Sequence, residues 1–304
     1  MRFIFCALFL LPLNLVNAQD INFEGYVYDH ITKVPIPFVN LSFLNTLKGT
    51  STDEKGHFFV DIPQTFLEKN VHISSLGYKD TIVAAKLLYD AKRFEMREES
   101  FALEEVVISK KLEGSAVLNP IASYSLTSGF SSSSTPWILA LYFPNIGASK
   151  KYIDKVTVFM RKNSGFKGVS SKFRLRVYDV DEKTKKPKND LLRKSIVLEA
   201  REPEDFVSID LAALHIEIPK GGVYIGLEWL FIPSNWYKTK ERNTITNQLK
   251  VEDRFAPTFG GVYSKNQNLK AMIYGMGNWE VFKVMSKDKT KAYIPAISLK
   301  IGEK

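Results

Sequence analysis

Four histidines, His30, His57, His72 and His215, are the first residues to test in this 304-residue chain, because imidazole is both a metal ligand and an acid–base group at neutral pH. A hydrolytic zinc centre needs three protein ligands and a fourth position left for water. In zinc peptidases these are a His and a Glu close in sequence and a distant His. No histidine here has a glutamate at that spacing, and His215-Ile216-Glu217 places its two polar side chains on one face of a strand instead. A nucleophilic serine in a Gly-x-Ser-x-Gly turn is absent as well. The glycines of Gly260-Gly261 and Gly275-Met276-Gly277 lie between β-like runs with no helix after them, so they read as turns and not as a phosphate cradle. The residues therefore predict no catalytic site, no metal and no cofactor.

Three weaker constellations remain. Asp179, Asp181, Asn189 and Asp190 could present oxygens to calcium, but Lys183, Lys185, Lys186 and Lys188 would repel the ion, and a polar turn is the better reading. Glu228, Glu252 and Asp253 could serve a glycan hydrolase if folding brought two of them to the separation that reaction requires, though nothing in their spacing does so. The third set is aromatic: Trp236, Tyr237, Phe255, Phe259, Tyr263, Tyr274 and Trp279, with Asn235, Arg242, Asn243, Asn247 and Gln267 interspersed. Sugars stack their C–H faces on such rings and hydrogen-bond to such amides, so a ligand site is one reading and packing of a loop onto a core is the other.

These residues need elements to hold them. Gly25 to Asp29, Pro35 to Leu41, Gly49 to Phe58 and Ile73 to Asp80 are short β-rich runs bounded by Gly, Pro or Asp. Within the third, Asp53 can cap its own turn while Gly56 takes a positive φ, and Phe58 and Val60 resume burial. Pro35 and Pro37 cannot donate to a ladder and fit a loop before an edge strand. The four blocks together resemble the carboxypeptidase regulatory-like domain. That resemblance implies a transthyretin-like (prealbumin-like) β-sandwich over residues 19–108, closed by Leu103 to Ile108, of the kind found at the front of exported Gram-negative proteins.

A linker is expected over 109–135, where Lys110-Lys111, Gly114 and the run Ser131 to Ser134 lower the hydrophobicity. From 136 to 304 short runs of period-two alternation recur, among them Trp137 to Phe143, Ile153 to Arg161, Phe173 to Val180 and Val223 to Leu230. They predict a second, larger, jelly-roll-like sandwich, making the whole chain all-β. Alternation fails between Phe231 and Asn278, which predicts a long ordered surface loop carrying most of the aromatic set. Parts of this region, such as Phe173 to Tyr178 and Gly222 to Trp229, also resemble a bacterial companion domain of regulatory-like modules.

Residues 1–18 read as a cleavable secretion signal: Arg2, an apolar run from Ile4 to Val16, and a small-residue exit at Val16-Asn17-Ala18. The only cysteine, Cys6, would leave with it, so the mature chain from Gln19 could form neither a disulfide nor a thiolate site. The apolar run is shorter than the ~20 residues that span hydrocarbon, and no later segment is apolar enough, so no transmembrane segment is expected after cleavage. Net charge is +9, spread over loop-like lysines, and reads as a solvated surface. The expectation is an exported, non-enzymatic protein of the periplasm, outer membrane or cell surface. A docking or spacer sandwich would precede one that binds a ligand, with a glycan or an envelope protein as partner and no nucleic acid. A glycan-acting hydrolase or carbohydrate-binding accessory protein is the alternative.

Overall fold

The computed structural model describes residues 20–99, 113–163, 165–202, 204–242, 247–283 and 290–303. The proposed signal and the expected closing strand Leu103 to Ile108 lie outside them. The first module contains β1 (Asp20–Asp29), β2 (Asn40–Phe43), β3 (Gly49–Ser51), β4 (His57–Pro63), β5 (Asn70–Ser74), β6 (Thr81–Ala84), helix α1 (Ala85–Ala91) and β7 (Arg93–Met96). These form two sheets, ordered β4-β1-β7 and β3-β2-β5-β6. Between them lies a core that includes Phe23, Val27, Leu41, Phe43, Phe58 and Ile73, each 1% exposed or less. The turn before β4 forms as its chemistry dictates. Asp53 Oδ1 accepts from the Lys55 and His57 amides at 2.8 and 2.9 Å, and Gly56 sits at φ 74°.

The second module runs through β8 (Glu113–Leu118), β9 (Ser128–Ser132), β10 (Ile138–Phe143), β11 (Tyr152–Arg161), β12 (Ser170–Val180), β13 (Pro187–Asp190), β14 (Ile196–Arg201) and β15 (Phe206–Asp210). It continues with β16 (Val223–Trp229), β17 (Trp236–Arg242), β18 (Leu249–Ser264), β19 (Ala271–Gly275), β20 (Asn278–Val281), β21 (Ala292–Pro295) and β22 (Ile297–Glu303). One sheet is ordered β13-β12-β16-β10-β19-β20, with β14 also on β12. The other is ordered β17-β18-β11-β22-β8, with β15 on β11 and both β9 and β21 on β18. Leu139, Phe173, Leu175, Ile225 and Leu227 of the first sheet and Val156, Phe259, Ile297 and Leu299 of the second share one core.

Two expectations are corrected. The described part of the supposed linker belongs to the second sandwich: β8 pairs with β22 and β9 with β18. Low hydrophobicity there marks edge strands, whose outward side chains need not be apolar. The supposed loop over 231–278 is mostly strand, because β17 and β18 form a hairpin and β19 pairs with β10. Pro257 sits where β18 shifts register against β9, between Phe255 and Phe259, and Gly260 and Gly261 follow. Those residues interrupt the alternation without ending the strand.

The modules meet across a sealed face. Every residue of β16 is buried, although only alternate ones point into the sandwich core. The others point to the outer face, where the first module covers Glu228. Glu228 Oε2 pairs with Arg174 Nη1 at 3.2 Å and with Arg176 Nη1 at 3.5 Å. Arg174 donates through Nε to Ser195 Oγ at 2.8 Å and through Nη2 to the Phe38 carbonyl of the first module. Asn40 Nδ2 donates to Glu228 Oε1, Ser51 Oγ donates to Asn40 Oδ1 at 2.6 Å, and the Phe231 amide donates to Ser51 Oγ at 2.9 Å. Arg174 and Glu228 side chains are each 1% exposed. Burial draws the guanidinium of Arg174 below its usual pKa while Glu228 pulls it back. A charge in such a place persists only when paired and hydrogen-bonded on every side.

Candidate functional site

The second sandwich opens at one place into a cleft of about 520 Å³ between its two sheets. Leu139, Trp229 and Ile273, on β10, β16 and β19, form one wall. The opposite wall comes from β9, β18 and β21, which present Phe130, Tyr263 and Tyr293. Phe282 and Trp137 complete the ring lining, and Ser131 to Ser134 form the lip. The rings brace one another: Tyr293 stacks on Phe130 at 4.8 Å and 19°, Phe282 meets Phe130 edge-on at 5.1 Å, and Tyr263 lies 5.2 Å from Tyr293.

Two glycines make this arrangement fit. A Cβ at Gly261 would collide with the hydroxyl end of Tyr293, so bare backbone there lets that ring lie close over β18. One at Gly129 would come within 2.5 Å of Thr258 Cγ2, so bare backbone there lets β9 lie close to β18. Trp229 is fixed from behind by its indole N–H donating to the Pro257 carbonyl at 2.8 Å. Ser132 is buried and donates to the Thr135 carbonyl at 2.8 Å, which pins the lip and leaves Ser131 and Ser133 exposed. Burial raises the pKa of Tyr293, so its hydroxyl stays neutral at physiological pH.

Of the aromatic residues singled out in the sequence, only Tyr263 lies in this cleft, where it is 44% exposed. Phe259 is wholly buried against Trp229 and Phe173. Tyr237 is buried with its hydroxyl on Asn163. Trp236 stands half exposed on the β17–β18 hairpin, donating to Asp253 at 3.1 Å. Phe255 stacks on Phe231 at 3.8 Å. Tyr274 and Trp279 pack together on the outer face of the β13-β12-β16-β10-β19-β20 sheet, with Tyr178 against Trp279. The set is thus dispersed, and most of it packs.

The amides fare likewise. Asn235 is buried and bonds Lys172 backbone on both sides, Gln267 donates to the Thr290 carbonyl, Arg242 lies on β17, and Asn247 lies just before β18. Asn243 lies outside the described residues. The carboxylates are scattered too. Glu228 is sealed at the module junction, Glu252 is held by Lys250 and Arg254, and Asp253 holds the Trp236 indole. Asp181 caps its own turn through the Lys183 and Thr184 amides, Asp179 binds Asn189, and Asp190 is an inward partner of Arg176 at 2.7 Å. Among the described residues no group of three His, Cys, Asp or Glu side chains is placed to hold a metal ion.

Another cleft, of about 510 Å³, follows the module junction. Its walls carry Glu98 from the first module and Arg193 and Lys194 from the second, over Phe38 and Tyr78. Burial, then Asp29 and Glu98, push the Tyr78 hydroxyl up to about 12.

The family model of the CarboxypepD_reg-like domain matches residues 23–108. The first module is a CarboxypepD_reg-like domain. That domain supplies the β2–β3 face that covers Glu228 and contributes nothing to the aromatic cleft. No curated protein matches the chain. Among solved structures, the chain is similar at 10% identity to a clostridial cysteine protease, Cwp84, after propeptide cleavage. There the TM-score is 0.38, with 92% of this chain and 70% of that one covered. It is also similar at 10% identity to the cysteine protease and lectin-like domains of Cwp84, a surface layer associated protein of Clostridium difficile. That match has a TM-score of 0.39, covers 88% of this chain, and spans 59% of the other. These similarities are too distant to carry residue roles. Among the described residues no helix is long and apolar enough to cross a membrane.

Proposed function

We propose that this is an exported, non-enzymatic binding protein of the cell envelope. The CarboxypepD_reg-like domain is a fixed platform in it, and the second sandwich takes a ligand in the cleft between its sheets. The observation that carries the reading is the cleft itself: about 520 Å³, inside the usual ~300–1,000 Å³ range of small-molecule sites, and walled by rings with hydroxyls at the mouth. The absence of converging acid–base pairs around it among the described residues favours binding over hydrolysis, since Glu228, Glu252 and Asp253 are each committed to partners elsewhere.

Thermal shift of the mature protein against panels of saccharides, peptides and phospholipids tests the reading. One class should raise the melting temperature of the wild type and fail to raise that of Tyr263→Ala, whose half-exposed ring contributes little to the core. If no ligand distinguishes the two proteins, the cleft is not a site. Export rests on the signal-like start. Mass spectrometry of the protein from its native envelope should find a chain beginning at Gln19, and an intact Met1 terminus would overturn that part.

A further inference from the structure

The geometry points to a neutral saccharide as the ligand of the cleft, an inference that rests on the binding reading above. Charged residues make up 25% of this chain and its net charge is +9, yet among the described residues not one Lys, Arg, Asp, Glu or His lines the cleft. An anionic glycan, a phosphate ester or a charged peptide would leave its charge facing rings and hydroxyls, at the cost of an unpaired, partly desolvated ion. Two guanidinium groups stand outside the lining: Arg254 reaches Ser131 Oγ with Nη1 at 3.1 Å while its Nη2 bonds Glu252 at 2.6 Å, and Arg161 acts on Tyr293 only through its field.

The remaining chemistry separates a sugar from a purely apolar ligand. Trp137, Tyr263, Phe282 and Tyr293 are only partly buried, so the cleft offers apolar surface to a C–H face. Ser131 and Ser133 stand exposed at the lip, and each hydroxyl both donates and accepts, the same dual capacity that sugar hydroxyls have. A lipid tail or apolar peptide would bury the Ser133 hydroxyl against carbon, which is unfavourable, and would leave Ser131 with only its Arg254 contact. A ligand with one apolar face and a hydroxyl-bearing edge satisfies both sets at once. Because Tyr293 stays neutral, this complementarity does not change across the physiological pH range.

The test is calorimetric titration of the mature protein with neutral oligosaccharides (glucans, mannans, xylans) and with uronic-acid oligosaccharides. N-Phenyl-1-naphthylamine, an uncharged fluorophore, serves alongside as a general probe of apolar clefts. The expected result is binding of at least one neutral oligosaccharide, little changed between about 0.1 and 1 M salt, over which screening shortens from ~10 to ~3 Å. Tyr263→Ala should weaken it by about ten-fold or more, Tyr263→Phe should preserve most of it, and Ser133→Ala should lower it several-fold. Preference for the acidic sugars, with affinity collapsing in salt, overturns the neutral class. Probe binding that Tyr263→Ala abolishes, with no saccharide bound, overturns the saccharide and leaves the cleft as a site. If neither probe nor sugar depends on Tyr263, both readings fall together.

Discussion

Single residues decide whether the two modules hold together, and Glu228 is the clearest of them. It neutralises Arg174 and Arg176 in a place from which water is excluded, so Glu228→Gln leaves two guanidinium groups with one fewer countercharge. Such a loss costs about 3–5 kcal/mol, far above the effect of a surface change. Urea denaturation should show it, and adding Arg174→Met should recover part of the loss, because the two residues are one interaction. A loss under about 1 kcal/mol would mean the pair is solvated in solution. Gly56 makes the same argument for the backbone. It sits at φ 74°, and a Cβ there would meet Pro35 Cβ at 2.8 Å and the Val27 carbonyl at 2.9 Å. Gly56→Val should therefore lower stability by at least ~1–3 kcal/mol, while Lys55→Val, at an exposed neighbour, should change little. Thermal melts of the two variants would show a clear gap, and equal shifts would contradict the turn geometry.

At the level of elements, β3 has a role out of proportion to its length. All three of its residues are buried, and Ser51 bonds Phe231 through both backbone and side chain. An edge strand that would otherwise expose unpaired amides is thereby covered by the second sandwich. A Cβ at Gly49 would lie 2.7 Å from both the Leu41 carbonyl and Pro136 Cδ. Gly49→Ala should cost about 1–3 kcal/mol in a chemical melt, whereas Gly221→Ala, whose Cβ would meet Val180 Cβ at an ordinary 3.5 Å, should not. This junction was hidden in the sequence for a physical reason. Arg174, Arg176 and Glu228 occupy the alternate positions of their strands that look solvent-facing, and only the docking of another module turns that face inward. Strands β10, β11, β12 and β16 were readable because each turns one apolar face to the core. By contrast β13, with the polar sequence Pro187 to Asp190, reads as a turn, and the hairpin of β17 and β18 was missed because Pro257, Gly260 and Gly261 blur its period. The cleft was half legible. Tyr263 stood out as an aromatic among polar residues, but Phe130 and Trp137 bracket the serine run, and a ring at each end of Ser131 to Ser134 was the cue that the lip had walls.

For the whole molecule, the buried junction predicts a single unfolding event. Two sandwiches on a flexible tether would melt independently. Here loss of either module strands charge on the other, so urea titration of the mature chain should give one transition by fluorescence and by circular dichroism, with coincident midpoints. Two resolved steps would contradict the docking. An exposed ion pair also crosses the boundary, Lys172 Nζ to Glu54 Oε1 at 2.7 Å. Lys172 holds Glu54 below its ordinary 4.5, so this small contribution is present above that value and lost as pH falls through the lowered folded-state pKa. The melting gap between wild type and Lys172→Met should accordingly exist at pH 7 and narrow at pH 3. The amide of Asn40, finally, works as a two-way address: one end is read by Glu228 and the other by Ser51. A CarboxypepD_reg-like domain transplanted from another protein would fold by its own core yet arrive with the wrong address. The recombinants that survive such shuffling should be those whose donors already carry an amide and a hydroxyl at these two places.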